Sequence, residues 1–365
     1  MDKPEIELND LKNIFYKKTV LITGHTGFKG SWLSIWLKEL GATVIGYALE
    51  PYTVNDNFVV TGLKNEMIHN IGDIRDFDKL ENIFNMYQPE IVFHLAAQPI
   101  VRESYNNPKD TFDINIMGTV NVLECCRNSN SVQIIINVTS DKCYKNNEWI
   151  WGYRESDPMG GYDPYSSSKG CSELVTSAYR NAFLNPTKYG DHGKFLASVR
   201  AGNVIGGGDW QKDRLIPDCI RALENNESIE IRNPNATRPW QHVLEALSGY
   251  INLSTKMLDE PDKFSGAWNF GPNYNSVISS SKIADMIINN WGSGKWIDTS
   301  SSDEPYETNY LSLDISKARN LLNWKPKWDI ERCIEHTVNW YKSYKNHNMF
   351  EFCVNQIKLF HELNY

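Results

Sequence analysis

The sequence lacks several features that would assign it to other classes of protein. No apolar run reaches the roughly 18 residues that a membrane-spanning helix needs. The chain has 37 basic and 45 acidic residues, a net charge of −8 and no dense Lys/Arg block, which argues against a nucleic-acid partner. The first ten residues are acidic and polar rather than basic and then apolar. We therefore expect no secretory signal, no membrane association and a cytoplasmic location.

The cysteine pattern argues against a disulfide framework and against a zinc site. The seven cysteines form no C-x-x-C pair and no zinc-like spacing, and their number is odd. Free thiols in a reducing compartment are the simplest interpretation, and no metal site is predicted. With 365 residues, 41% of them hydrophobic, the chain can build one enlarged α/β domain or two lobes.

Strand-like and helix-like segments alternate along the first 200 residues. Short runs rich in β-branched residues predict strands at Lys18–Thr23, Ala42–Tyr47, Glu90–Leu95, Gln133–Ser140 and Phe195–Arg200. Apolar residues three and four positions apart predict helices at Gly30–Leu40, Phe77–Tyr87, Asp110–Arg127 and Tyr165–Phe183. This alternation indicates an α/β fold with a Rossmann-type, doubly wound parallel sheet. Such sheets bind ligands at the carboxyl ends of their strands.

A glycine-rich loop follows the first predicted strand. It consists of Gly24, His25, Thr26, Gly27, Phe28, Lys29 and Gly30, and it leads directly into a helix. The first glycine permits a tight turn, the second lets backbone approach a pyrophosphate, and the third lets helix and strand pack closely. The helix N-terminus then directs N–H groups at the anion. Because the loop lies between a strand and a helix, it predicts a dinucleotide site.

NAD is favoured over NADP as the dinucleotide. The second strand ends in Tyr47-Ala48-Leu49-Glu50-Pro51, which offers no basic partner for a 2′-phosphate. Glu50 is the candidate for the ribose hydroxyls, although it can equally be a solvated surface residue. Later strand ends supply the other predicted cofactor contacts, Asp73, Ile74, Leu95, Ala96 and Ala97.

The domain boundaries follow from a change in composition after Asn203, where three glycines are followed by a segment rich in Arg, Asn, Pro and Trp. We predict an NAD-binding Rossmann domain over residues 15–202, rejoined by a helix at Pro239–Met257. Residues 203–238 and 263–365 are predicted to form a smaller mixed α/β lobe that binds the substrate. The three glycines at 206–208 are expected to act as a flexible hinge between the two parts.

A Tyr–Lys pair supplies the candidate chemistry. Tyr165 and Lys169 are four residues apart, so on a helix both side chains lie on one face. A neighbouring ammonium, together with a positively charged nicotinamide, lowers the pKa of a phenol and lets it take a proton from an alcohol. Such pairs are often mere surface neighbours. This one follows, one α/β element later, a strand that ends in Thr139 and Ser140.

The motifs together resemble a known family. TGHTGFKG, HLAAQ, NIMGT, VTS, YSSSK and RAGNV occur in the order and spacing of the extended short-chain dehydrogenases/reductases. The resemblance covers essentially the whole chain and adds Asn115, in NIMGT, to the cofactor contacts. Four further stretches resemble the nucleotide-sugar 4,6-dehydratase branch: Thr139–Tyr144, Glu148–Glu155, Gly161–Tyr165 and Arg238–His242.

That branch implies a specific reaction on CDP-glucose with tightly bound NAD. Tyr165 would take the C4 hydroxyl proton, with Ser140 hydrogen-bonded to the C4 oxygen. Asp141 would protonate the departing C6 hydroxyl. Lys142 stands where relatives place a Glu, and it would take the C5 proton only as a neutral amine. It can instead pair with Asp141 and shape the pocket. The product would be a 4-keto-6-deoxy sugar nucleotide that feeds deoxysugar and polysaccharide synthesis.

The resemblance also implies where the nucleotide lies and how the protein assembles. Candidate substrate contacts are Gln98, Asn203, Arg214, Arg232, Arg238 and Tyr306, with Trp210 as a further aromatic. Guanidinium groups match phosphate geometry, although each arginine alone could be a surface ion-pair residue. Relatives pair through two helices, which here correspond to Asp110–Arg127 and Tyr165–Phe183. A homodimer or homotetramer is therefore expected.

Three alternatives remain open at this point. A nucleotide-sugar 4-epimerase would need the Tyr–Lys pair but neither Asp141 nor Lys142. A 4,6-dehydratase could act on another nucleotide sugar. A non-enzymatic NAD-binding scaffold would retain the fold without turnover.

Overall fold

The computed structural model describes residues 8–301, 308 and 310–362. Its strands are β1 Thr19–Thr23, β2 Thr43–Ala48, β3 Ile68–Ile71, β4 Ile91–His94, β5 Ile134–Val138, β6 Phe195–Ala201, β7 Asn203–Ile205, β8 Ile229–Ile231, β9 Thr237–His242, β10 Gly266–Phe270, β11 Val277–Ser279 and β12 Trp296–Asp298. Seven of them form one parallel sheet in the order β10-β6-β5-β4-β1-β2-β3. The strand order reverses beside β1, which creates the crevice where such sheets bind ligands.

Helices cover both faces of this sheet. They are α1 Leu8–Phe15, α2 Phe28–Glu39, α3 Asn57–Val60, α4 Phe77–Tyr87, α5 Val101–Asn106, α6 Pro108–Phe112, α7 Gly118–Asn128, α8 Pro164–Ala182, α9 Tyr189–His192, α10 Leu215–Glu224, α11 Val243–Asp259, α12 Pro261–Phe264, α13 Ser280–Trp291, α14 Ser316–Leu322, α15 Ile330–Ser343 and α16 Met349–Glu362. No helix in these ranges is both long and apolar enough to cross a membrane.

The core divides into two layers, one on each face of the sheet. Trp32 and Trp36 of α2 are fully buried in the larger layer, which also contains α11, α15 and α16. Leu80 of α4 and Leu123 of α7 belong to the smaller layer on the opposite face. Each such side chain contributes about 1.5–3 kcal/mol by leaving water. Burial on both faces explains why the strands are continuous apolar runs rather than alternating ones.

A smaller mixed lobe lies beyond the carboxyl ends of the strands. It contains a three-stranded sheet in the order β11-β9-β7 and the parallel pair β12-β8. The doubly wound α/β fold predicted from the sequence is confirmed, and the predicted strands and helices of the first 200 residues match to within a few residues.

Three expectations need correction. Thr237–His242 is a strand, because it pairs with β7 and β11, and the helix predicted from Pro239 begins only at Val243, where the His242 side chain caps it. Gly266–Phe270, assigned from sequence to the smaller lobe, pairs with β6 and completes the large sheet. The glycines at 206–208 are buried. A Cβ at Gly207 would lie 1.9 Å from Trp340, so they serve close packing rather than a hinge.

Candidate active site

A cleft of about 650 Å³ opens at the carboxyl ends of the strands, between the sheet and the smaller lobe. Most of the predicted site residues line it. They are Phe28, Lys29, Leu95, Ala97, Ser140, Asp141, Lys142, Tyr165, Lys169, Asn203, Arg214, Arg232 and Arg238. The prediction for Tyr306 falls outside the described residues. The volume is in the range of small-molecule sites, with polar groups converging from several elements.

The glycine loop lies beside β1 at the floor of the cleft, which it lines through Phe28 and Lys29. Gly24 has φ of 77°, the left-handed region that glycine adopts without strain. A Cβ at Gly30 would lie 2.1 Å from the Gly24 carbonyl oxygen, so only glycine lets α2 start this close to the turn. Gly27 is the N-cap of α2, and no side chain caps the helix. The first N–H groups of α2 therefore stay available to an anion, as a dinucleotide pyrophosphate requires.

Lys29, in the first turn of α2, adds a cation to this floor. Burial, followed by repulsion from Arg214, lowers its pKa to about 8. A cation at a helix N-terminus is disfavoured by the helix dipole. An anionic ligand would offset both the desolvation of the ammonium and its repulsion by the helix dipole, so Lys29 fits beside a pyrophosphate.

The outer edge of the predicted cofactor site lies at β2 and β3. Asp73 accepts bonds from Arg75, whose Nη2 lies 2.7 Å from Oδ2, and it does not bind other side chains in the described chain. Ile74 is buried against Gly118. His25 is buried beneath β2, where its Nε2 lies 2.6 Å from Nδ1 of His69. His25 thus packs behind the loop instead of facing the cleft.

The end of β4 brings small residues against the glycine loop. A Cβ at Gly24 would lie 2.7 Å from the Ala96 backbone nitrogen, so the two segments are in close contact. The Gln98 side chain donates to Thr111 and accepts from the Ile100 backbone, and it does not line the cleft. Asn115 is buried and donates to the Ser168 hydroxyl at 2.8 Å and to the Gln98 carbonyl at 3.1 Å.

The helix predicted at Asp110–Arg127 is interrupted around Asn115. Residues Asp113–Met117 form a π-helical turn between α6 and α7. Such insertions frequently occur at functional sites. Here the wider turn carries the buried Asn115, which connects the end of β4 to α8, the helix of the Tyr–Lys pair.

Tyr165 and Lys169 lie together in the first turns of α8. Asp163 caps this helix by accepting bonds from Ser166, and Pro164 takes the first helical position. Burial raises the pKa of Tyr165 to about 12, against a hydrogen bond with Ser140 that lowers it. Burial and then the charge of Lys29 lower the pKa of Lys169 to about 8. Lys169 still carries most of its charge at pH 7, so it can stabilise a phenolate.

Ser140, Asp141 and Lys142 lie on a short 3₁₀ turn after β5, in the same cleft as Tyr165. The Ser140 hydroxyl donates to Asp141 Oδ1 at 3.0 Å. Asp141 Oδ2 is buried and accepts no hydrogen bond in the described structure. Burial raises the pKa of Asp141, although the charge of Lys142 opposes this shift. The carboxyl is thereby suited to hold a proton and donate it.

Three arginines line the part of the cleft that faces the smaller lobe. Arg214 pairs with Asp209 at 2.6 Å, and Arg232 pairs with Asp213 at 2.6 Å. Arg238 lies on β9, buried, and donates to the Thr237 carbonyl. Trp210, in contrast, packs between Tyr341 and Tyr344, with ring centroids 5.2 and 5.4 Å away, and does not line the cleft.

Some cleft residues were missed from the sequence. Asp209 and Asp213 line the cleft as partners of the arginines, and a Gly-Gly-Asp or Lys-Asp-Arg stretch carries no signal that would reveal such pairing. Outside the cleft, Glu173 and Arg200 form a buried ion pair behind the turn that carries Ser140, Asp141 and Lys142. The spacing of Glu173, four residues beyond Lys169, could have indicated the same helix face.

The arrangement defines a class of protein. A glycine loop after the first strand of a parallel sheet, with a Tyr–Lys pair entering the same cleft from a later helix, is the site of short-chain dehydrogenases/reductases. A buried carboxyl and a lysine beside that pair add groups that could move protons at a second carbon.

Comparison with known proteins narrows this class. The sequence profile of the family described as GDP-mannose 4,6 dehydratase matches residues 21–337, and the chain belongs to this family. The CDP-glucose 4,6-dehydratase of Salmonella typhimurium is 53% identical over 334 residues, which are 91% of this chain and 93% of that protein.

Solved structures agree with the fold. The epimerase Mth375 of Methanothermobacter thermautotrophicus has a TM-score of 0.78 at 23% identity, covering 94% of this chain and 97% of that one. The dTDP-glucose 4,6-dehydratase of Streptomyces venezuelae, solved with NAD and TYD bound, has a TM-score of 0.75 at 20% identity, covering 90% and 97%. At these identities the likeness extends to the fold alone.

Proposed function

We propose that this protein is an NAD-dependent hydro-lyase that converts CDP-D-glucose to CDP-4-dehydro-6-deoxy-D-glucose. The observation that carries the proposal is the buried Asp141 carboxyl, with one oxygen unpartnered, in the same cleft as Tyr165 and Lys169. An oxidoreductase that acted only at C4 would have no use for this costly buried group. The 53% identity to the Salmonella enzyme over nearly the full length of both chains supports the substrate.

Tyr165 acts at C4 of the sugar. Its phenol is the group in the cleft that can take the C4 hydroxyl proton, and Ser140 can hydrogen-bond the same oxygen. The Lys169 ammonium stabilises the phenolate through space, because both side chains lie in one wall of the cleft. Bound NAD would supply the hydride acceptor for C4 and the hydride donor for C6, and the proton taken from C5 would have to return there as hydride adds at C6.

Asp141 and Lys142 act on the next two carbons. A C4 ketone acidifies the C5 hydrogen, and Lys142, which lies on the turn and lines the cleft, would take that proton. Asp141, whose pKa burial raises, would donate a proton to the C6 hydroxyl as it leaves as water. Lys142 can take the C5 proton only as a neutral amine. The alternative, that it pairs with Asp141 and shapes the pocket, predicts a much smaller effect of replacing it by Met.

The residues present fit NAD rather than NADP. The glycine loop keeps α2 close to the turn after β1, where a Cβ at Gly30 would lie 2.1 Å from the Gly24 carbonyl oxygen, and the first N–H groups of α2 can then bind a pyrophosphate. At the β2–β3 edge, Glu50 is exposed and Arg75 already faces three carboxylates, those of Asp73, Asp110 and Asp113. The Arg75 guanidinium is thereby engaged by carboxylates, which disfavours its binding a 2′-phosphate.

The nucleotide is proposed to lie toward the smaller lobe. Arg214, Arg232 and Arg238 line that side of the cleft and offer guanidinium groups to a diphosphate, and Asn203 stands between them and β6. Gln98, which braces the loop after β4, would then support the substrate pocket from behind.

A single experiment tests the proposal. The purified holoenzyme is incubated separately with CDP-, dTDP-, GDP- and UDP-glucose, and the alkali-induced absorbance of 4-keto sugars is followed. We expect CDP-glucose to be consumed without added NAD. Consumption of another sugar instead would reassign the substrate, and an interconverted hexose without a 4-keto product would indicate an epimerase.

A homodimer or homotetramer is part of the same proposal. The helical segments expected to pair expose Met117, Leu174 and Phe183, whose exposed fractions are 49, 61 and 53%. Apolar side chains this exposed on neighbouring helices are typical of an interface. Light scattering of the purified protein measures the assembly directly.

A further inference from the structure

A buried ion pair lies directly behind the cleft. Glu173 is on α8, one helical turn beyond Lys169, and its side chain is 4% exposed. Its Oε1 accepts from Thr139 Oγ1 at 2.5 Å and from Arg200 Nε at 2.9 Å. Its Oε2 accepts from Ser198 Oγ at 2.7 Å and from Arg200 Nη2 at 2.8 Å. The carboxylate is thus fully hydrogen-bonded, and it does not line the cleft.

Arg200, on β6, extends the network to the far side of the turn. Its Nη1 donates to the Tyr144 hydroxyl at 2.6 Å and to the Glu155 carbonyl at 3.1 Å. The guanidinium also lies 4.8 Å from the centre of the Tyr144 ring. The Tyr144 hydroxyl donates a hydrogen bond to Asn269 Oδ1 at 2.7 Å, which connects the network to β10.

Thr139 and Tyr144 are the residues on either side of Ser140, Asp141, Lys142 and Cys143. The turn that carries the candidate acid and base is therefore bonded at both ends to one ion pair. Half of that pair, Glu173, is on the helix that carries Tyr165 and Lys169. We infer that Glu173 and Arg200 are positioning residues that hold the Ser140–Asp141–Lys142 turn in register with the Tyr–Lys pair.

This inference rests on the proposed function and makes it more specific. Oxidation at C4 depends chiefly on Tyr165 and Lys169, which a well-capped helix holds in place, and takes from the turn only the Ser140 hydrogen bond to the C4 oxygen. Water loss from C5 and C6 depends on the turn. Loosening one end of the turn should therefore slow elimination more than oxidation, because acid–base catalysis tolerates little displacement.

The test uses two substitutions that each cut one end and keep the ion pair. Thr139→Val removes the hydroxyl that Glu173 binds, at nearly constant volume. Tyr144→Phe removes the hydroxyl that Arg200 binds. For each holoenzyme, absorbance of the reduced nicotinamide after mixing with CDP-glucose reports oxidation, and 4-keto-6-deoxy product reports elimination. We expect product formation to fall about 10- to 100-fold, with initial reduction changed much less, so that reduced cofactor accumulates.

Glu245→Gln is the matched control. Glu245 is also a buried carboxylate, it accepts from the backbone nitrogens of Lys327 and Trp328, and it does not line the cleft. Glu245→Gln should lower Tm while leaving the ratio of reduction to product formation as in the wild type. The same unchanged ratio in Thr139→Val and Tyr144→Phe would overturn the inference and leave the ion pair a purely structural feature.

Hydrogen exchange gives a second readout that requires no turnover. Backbone amides of residues 140–143 should exchange faster in both variants than in the wild type, with α8 unchanged, and equal exchange would contradict the inference. If the wild type consumes another nucleotide sugar, the proposed substrate is wrong, and the same ratio measured with that sugar still decides the role of the pair.

Discussion

Replacing Asp141 by Asn is the most discriminating perturbation of this site. Asn has nearly the same shape, and its oxygen can still accept the hydrogen bond from Ser140 that Asp141 Oδ1 accepts at 3.0 Å. What the change removes is the ionisable carboxyl, whose pKa burial raises and which can therefore serve as a proton donor. The amide cannot protonate a departing C6 hydroxyl, so the variant isolates acid catalysis from packing.

The expected magnitude follows from that role. Loss of a positioned general acid costs about 10²- to 10⁴-fold in rate, or about 3–5 kcal/mol of barrier. Formation of 4-keto-6-deoxy product should fall by this factor. Tyr165 and Lys169 remain in place, so reduction of the bound cofactor on mixing with CDP-glucose should persist. Both signals can be followed in one sample, the first as alkali-induced absorbance and the second as reduced nicotinamide.

Asp141→Asn should also make the protein more stable at neutral pH. The pKa of Asp141 is raised in the folded protein, so the folded state binds the proton more tightly than the unfolded state. The stability that this proton contributes is complete at low pH and is lost as the pH rises through the folded-state pKa. The variant lacks this loss. Urea unfolding of the wild type and the variant at about pH 5 and about pH 8 measures the difference in their free energies of unfolding.

One result would refute this reasoning. If Asp141→Asn retained nearly full turnover, Asp141 would not be the acid, and the cleft would suit a 4-epimerase, which needs only the Tyr–Lys pair. Glu245→Gln, a buried carboxylate away from the cleft, controls for nonspecific loss of activity.

Three further outcomes are expected. Tyr165→Phe should abolish cofactor reduction as well as product. In the wild type, reduction should speed up as the pH rises through the Tyr165 pKa, which burial raises to about 12 and the charge of bound NAD would lower. A pH-independent wild type would contradict this. Gly30→Ala puts a Cβ 2.1 Å from the Gly24 carbonyl and should yield protein without co-purified dinucleotide, whereas Gly190→Ala, with nothing within 4 Å, should retain it. Burial lowers the pKa of His94 to about 3, so the free energy of unfolding should fall as the pH drops below about 6.5, by up to about 1.4 kcal/mol per pH unit. It should fall less steeply in His94→Gln. Equal slopes in urea unfolding would exclude His94 as a contributor.

Local patterns carried most of what the sequence could predict. The glycine loop, the strand–helix alternation and the Tyr165–Lys169 spacing all depend on residues within one or two helical turns of each other. Their physical causes, turn geometry and one-sided burial, act over the same short range. These are the features that the sequence places close to their observed positions.

Local sequence patterns could not predict which distant segments pair with each other. Gly266 pairs with Ala197 in the large sheet, and Thr237–His242 is a strand only because β7 and β11 lie beside it. A Pro-Trp segment before an apolar run reads as a helix start when those neighbours are unknown. The ion pair of Glu173 and Arg200 was missed for the same reason, since no local pattern shows that the two residues, 27 positions apart, lie in contact.

Burial acts in one direction on the three titratable groups at the centre of the cleft. It raises the pKa of Tyr165 and of Asp141 and lowers that of Lys169, so each shift favours the neutral form. A buried phenol with a pKa of about 12 gives up its proton only if positive charge is brought beside it. The oxidised nicotinamide of bound NAD would supply that charge, and its reduction would remove it. We therefore expect Tyr165 to keep its proton while water is eliminated, and to donate it as a hydrogen bond to the C4 oxygen where negative charge then develops.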